Sequence, residues 1–148
     1  MKNFLILLLV TLITSCGKVD IDTSTNPPET IFKYTIGEEL LGHAEEIQGG
    51  GHCWQGYVIH IRFKTDIKVE QVLRDAGYTE VEWSISESYF KLPEEFLSRF
   101  TPPWDPNSTI NKKCYSKSNV TNSWTHGGTH YYLIDQDSGV VYFYGIGA

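Results

Sequence analysis

Tyr57-Val58-Ile59-His60-Ile61-Arg62-Phe63-Lys64 decides the fold. Tyr57, Ile59, Ile61 and Phe63 alternate with Val58, His60, Arg62 and Lys64. That two-residue period predicts a strand with one apolar row against a core and one polar row toward water. A lone strand leaves its backbone groups unpaired, so a partner is needed. The preceding run His43 to Gln48 offers one, through a connection containing Gly49-Gly50-Gly51. Leu40, Leu41, Ala44 and Ile47 also fit a helical stripe, and both readings stand at this point.

Working outward toward the C-terminus, Asp66 sits where a helix N-cap belongs. Val69, Val72, Leu73 and Ala76 follow at helical spacing, and Gly77 is placed to stop the helix. Val81, Trp83 and Ile85 alternate with Glu80, Glu82 and Ser84 and predict a half-buried strand. Pro93, with Phe96, Leu97 and Phe100, predicts a second short helix. Residues 101–128 contain Pro102-Pro103-Trp104-Asp105-Pro106 and read as a long loop. The chain closes with Tyr131-Tyr132-Leu133-Ile134, a turn through Asp135 to Gly139, and Val140 to Tyr144. This is a β-hairpin apolar on both faces, which places it centrally in a sheet. The expectation is one α+β domain over residues 31–148: an antiparallel sheet of four or five strands, two short helices packed on one face, and a C-terminal β-hairpin.

Toward the N-terminus, residues 17–30 are polar and end on Pro27-Pro28-Glu29-Thr30, a composition that predicts a flexible tether. Met1-Lys2-Asn3 and the apolar run Phe4 to Leu12 read as a secretory signal covering residues 1–15. The run falls well short of the roughly 20 residues that cross a bilayer. Ile13-Thr14-Ser15-Cys16 resembles the lipobox of bacterial lipoproteins. The resemblance implies cleavage before Cys16, diacylglycerol and an acyl chain such as palmitate on it, and a membrane anchor in the cell envelope. Gly17, in place of an aspartate, implies sorting to the outer membrane, facing the periplasm where the source has two membranes. Several acyl chains hold a protein to a bilayer far more firmly than one. The turn with His52 and Gly56, together with Leu133-Ile134-Asp135-Gln136-Asp137-Ser138-Gly139-Val140-Val141-Tyr142-Phe143-Tyr144, also resembles a group of small bacterial proteins without assigned activity. Cys53-Trp54-Gln55 departs from that group's turn residues.

Charge narrows the partners. Loss of Lys2 with the leader leaves 11 basic against 18 acidic residues, net −7, and the longest basic run is Lys112-Lys113. Nucleic acid is excluded as an expected partner, because phosphate binding needs clustered Lys and Arg. Cys53 and Cys114 remain in an exported domain, where an oxidising compartment favours a disulfide; closing that loop contributes about 4 kcal/mol on the chain-entropy argument. A thiolate metal site with His52 is the alternative, without the short Cys-x-x-Cys spacing such sites use.

Three histidines and three tryptophans are the candidate binding residues. His126 and His130 stand at i and i+4, but Gly127-Gly128 between them argues against the helix that would converge them on a metal. His52 beside Cys53 has the form of a base next to a thiol, which an oxidising compartment disfavours. Trp54, Trp104 and Trp124 fall in segments read as loops, where they either line a glycan or peptide groove or cap a small core. Asp135 and Asp137 read as turn residues in place of calcium ligands. No cofactor and no resident metal is expected. The function these features imply is a membrane-anchored module that binds an envelope protein or a ligand such as a glycan, with catalysis the less favoured class. The runner-up is a small metal-dependent hydrolase acting on a cell-wall or sugar substrate through His52, His126 and His130.

Overall fold

The computed structural model describes residues 19–20, 26–53, 56–121 and 126–147. The leader, Cys16, Trp54 and Trp124 lie outside them, as do the side chains of Cys53 and His126. Elements run in the order β1 (Val19–Asp20), α1 (Pro28–Thr35), α2 (Glu38–Leu41), β2 (Ala44–Cys53), β3 (Tyr57–Thr65), α3 (Val69–Asp75), β4 (Thr79–Val81) and α4 (Trp83–Ser86). Two 3-10 segments follow, Glu87–Phe90 and Glu94–Arg99, and then β5 (Lys112–Thr121), β6 (His126–Asp135) and β7 (Val140–Gly147). The strands form one antiparallel sheet in the order β1-β2-β3-β7-β6-β5-β4, with β1 only two residues long.

The α+β class and the antiparallel sheet match the expectation, and the apolar terminal hairpin does lie at the centre, β7 flanked by β3 and β6. The sheet exceeds four or five strands because Lys112 to Thr121, expected as loop, is a full strand. Its alternation is hard to see because lysine and serine interrupt it, yet Cys114 and Tyr115 are both buried. The helical pieces are short and cover both faces, not one. On the first face α1, α2 and α3 pack Ile31, Phe32, Leu40, Val69 and Leu73 against Ile59, Ile61, Phe63, Tyr132, Val141 and Phe143. On the second face the connection of residues 82–111 lays Phe90, Phe96, Phe100 and Trp104 over Leu133, Val140, Tyr142 and Tyr144. The alternation of each strand therefore feeds two cores.

Local chemistry accounts for the boundaries. Pro28 begins α1 in place of ending a tether, because a proline at the first helical position gives up only an N–H the helix does not need. Glu29 in its first turn and Lys33 in its last complement the helix dipole. Phe32 then meets Phe63 edge to face, centroids 4.8 Å apart. The alternative readings of the 40–48 stretch divide at Gly42: Glu38–Leu41 is helix and β2 begins at Ala44. Asp66 does not cap α3, whose N-cap is Lys68. Its end is as expected: Gly77, at φ +82°, closes a Schellman arrangement in which Gly77 N donates to Arg74 O (2.9 Å) and Tyr78 N to Leu73 O (2.9 Å). The strand expected through Ile85 stops at Val81, since Ser86 Oγ donates to the carbonyl oxygens of Trp83 (3.2 Å) and Glu82 (3.3 Å) and holds a turn of helix there. The expected helix after Pro93 is a 3-10 segment with Phe96 buried and Leu97 exposed.

Gly49 and Gly50 are strand residues, not turn residues; the hairpin connection lies beyond Cys53. They let other elements approach β2 closely on its two faces. A Cβ on Gly49 would lie 3.5 Å from Pro28 Cβ of α1, and one on Gly50 would lie 3.0 Å from Cβ and Cγ of Phe96.

Candidate functional site

His60 and Arg62 alternate with the core residues of β3 and so project to the second face. The register sets Gln48 and Gly50 of β2 beside them, and Tyr142 and Tyr144 of β7 on the other side. The polar row expected to meet water is instead covered: the 82–111 connection crosses it as a strap, leaving His60 1% and Arg62 5% exposed. The strap is seated in two ways. Phe96 fills the space above Gly50, and the Gln48 side-chain amide bonds both main-chain groups of Thr101, accepting from Thr101 N at 3.1 Å and donating to Thr101 O. Trp104 packs edge-on against His60 (5.4 Å), Tyr142 (5.1 Å) and Phe100 (5.0 Å), and its indole N–H donates to Phe90 O at 2.7 Å.

The electrostatics are unusual for so dry a place. Burial lowers the His60 pKa to about 4; the nearby carbonyls of Lys91 and Tyr89 oppose that without reaching hydrogen-bonding geometry, and His52 reinforces it. His60 is therefore a neutral ring with neither nitrogen hydrogen-bonded. Among the described residues Arg62 Nε and Nη1 also have no hydrogen-bond acceptor. The carboxylate nearest Arg62 is that of Glu46, 3.7 Å from Nη1 and 52% exposed, at a β-bulge where Glu46 takes a left-handed φ of 52°. Burial raises the Tyr142 phenol, and the neighbouring Arg62 guanidinium offsets part of that rise. His52 Nδ1, half-buried beside Phe96, is likewise without a partner.

The residues singled out from sequence do not gather here. His130 is fully buried on the first face, its Nε2 2.9 Å from Tyr57 Oη and its Nδ1 3.1 Å from Tyr78 Oη. Burial, aided by Lys117, lowers it to about 4, and burial pushes Tyr78 up to about 12. His52 and His130 thus stand on opposite faces of the sheet and cannot share a metal. Among the described residues no group of three metal-ligating side chains occurs. Trp104 packs into the second core and is 8% exposed, its edge bordering a shallow cleft of about 340 Å³ with Trp83, Phe90 and Leu97. Asp135 organises the last turn, accepting from Asp137 N (3.0 Å), Ser138 N (3.3 Å) and Ser138 Oγ (2.7 Å).

The expected Cys53–Cys114 disulfide is corrected. Cys114 is a free, buried thiol on β5, raised by burial. Cys53 belongs to β2, with β3, β7 and β6 between. Four strand spacings of about 4.8 Å each far exceed the roughly 4–7 Å between Cα atoms that a disulfide spans.

A second polar cluster lies at the far end of the sheet. Glu70 accepts from Gln136 Nε2 (2.6 Å), Lys113 Nζ (2.8 Å) and Tyr115 Oη (3.1 Å), which together hold its carboxyl below the usual range against the effect of burial. It borders a shallow cleft of about 490 Å³, and its acceptors are satisfied. Arg62 is the opposite case. A signal for it was available: an arginine in mid-strand, between apolar neighbours, in a chain with an aromatic-rich segment long enough to fold over it.

No protein family, no curated protein and no solved structure matches the chain.

Proposed function

We propose that the chain is a lipid-anchored envelope module that recognises a component carrying an oxyanion, a carboxylate or a phosphate, at Arg62 beneath the strap. The observation that carries this reading is a buried guanidinium with two nitrogens unmet among the described residues and a carboxylate only at 3.7 Å. Burying a charge costs several kcal/mol unless acceptors surround it. An incoming oxyanion supplies them, and guanidinium is the side chain best suited to hold one. Glu46, half-exposed at its bulge, marks the approach and swings out as the ligand enters. Support for the anchor is the lipobox-like Ile13-Thr14-Ser15-Cys16.

Thermal unfolding of the domain with inorganic phosphate or acetate tests the site. At a ligand concentration about 100 times the dissociation constant, stabilisation is about 2.7 kcal/mol, read as a rise in Tm. Arg62→Met abolishes that rise while leaving the ligand-free protein as stable as before or more so, because an apolar side chain replaces an incompletely paired charge. A ligand-free loss of about 3–5 kcal/mol in Arg62→Met, as for a fully paired buried ion, together with no oxyanion effect on wild type, would falsify the reading. The anchor is tested separately by the mass of the native N-terminal peptide and by release of Cys16→Ser from membranes.

A further inference from the structure

β1 changes what the anchor does. Val19 pairs with Cys53, the last residue of β2, and Asp20 with His52, so the chain enters the sheet from beyond that end and runs back along β2. Cys16 precedes Val19 by three residues, and three extended residues reach about 11 Å at most. A tether of residues 16–30, which would let the domain stand off by tens of ångströms, is therefore shortened to its first few residues. The same sheet end carries Tyr57 at the start of β3 and Ile146 near the end of β7, and Ile146 is 39% exposed.

We infer that this end of the sheet rests against the bilayer surface, with β1 as the strut and Ile146 among the residues that meet the lipid. The inference rests on acylation of Cys16. It gives the domain a fixed orientation. The paired run from Tyr57–Gly147 to Lys64–Val140 spans eight residues, about 25 Å, so the Asp135–Gly139 turn and the Glu70 cluster point away from the membrane. Arg62 lies five residues along β3 from the membrane end, about 17 Å above it. The oxyanion it takes is then presented by a component standing off the bilayer, out of reach of the phosphates of the lipid headgroups.

The test uses the full-length acylated protein in vesicles of phosphatidylethanolamine and phosphatidylglycerol, some bearing a nitroxide on the headgroup. A fluorescent amino acid is placed at Ile146 or at Asp137. Flotation with the vesicles and the mass of the N-terminal peptide first establish the anchor; failure there overturns the anchoring reading and the orientation with it, whereas floated protein tests the orientation alone. In floated protein, quenching severalfold stronger at position 146 than at 137 is expected, and a ten-residue glycine-serine insertion between Gly17 and Lys18 should erase the difference. Equal quenching at the two positions, a difference that survives the insertion, or crosslinking of position 146 to a second copy of the chain would each overturn the inference.

Discussion

The two faces of one sheet are built from the same strands and reach different ends. On the first, three helices close over aliphatic and aromatic side chains, and the buried His130 is bonded through both ring nitrogens to tyrosine hydroxyls. On the second, an irregular strap covers His60 and Arg62, whose nitrogens are left largely unpaired. The alternation of side chains along the strands separates the two conditions. Buried polar groups in folded chains are nearly always satisfied. The first face obeys that rule and reads as structure; the second breaks it where a ligand acceptor would restore it.

The largest test of the contrast is acid. Both His60 and His130 have folded pKa values of about 4 against an ordinary value of 6.5. The unfolded chain therefore binds the protons first, and stability falls as pH drops from 6.5 toward 4. Each histidine contributes a slope of about 1.4 kcal/mol per pH unit, about 2.7 for the pair. Urea titrations at pH 7, 6 and 5 should show it, and replacing either histidine with leucine should remove half. A wild-type slope near zero over that window would mean that both rings sit in water, and about half the expected slope that one of them does.

At neutral pH the same two substitutions should diverge. His130→Leu strands the hydroxyls of Tyr57 and Tyr78 in the first core and should cost about 1–3 kcal/mol. His60→Leu removes a ring that makes no hydrogen bond and should change stability by less than about 1 kcal/mol. Equal losses, measured by denaturant midpoint at unchanged m-value, would show that His60 is bonded after all and that the two faces do not differ as described.

The sequence makes the first face legible because its signals are periodic and local. Ile59, Ile61 and Phe63 alternate, Val69, Val72 and Leu73 repeat at helical spacing, and Gly77 ends the helix at a position that takes a left-handed backbone, φ +82°. The second face is nearly silent for a physical reason. Its cover comes from 3-10 turns and extended chain, which have no amphipathic period to detect, and the polarity of His60 and Arg62 points to solvent in any rule based on alternation. Gly49-Gly50 misleads for a related reason: glycine is needed both where a chain turns and where another element must approach closely, and only the approach of Pro28 and Phe96 distinguishes the two. The expected disulfide shows the limit of composition. Compartment and count favour a pair, while strand order alone decides whether two cysteines meet.

The smallest effect addresses the strap itself. Gln48 holds Thr101 by two hydrogen bonds at a partly exposed site, so Gln48→Ala should cost only about 1 kcal/mol globally. Locally the consequence is larger, since Phe96 over Gly50 is then the main remaining contact between β2 and the strap. Hydrogen exchange at the Trp104 indole and at the backbone of residues 94–104 should accelerate, while that of α1 and of β6 beneath the first face stays unchanged. If the strap covers a binding site, loosening it should also speed the entry of phosphate to Arg62. A Gln48→Ala protein with faster strap exchange and unaltered association kinetics would mean that the ligand reaches Arg62 by another path, past Glu46 at the bulge.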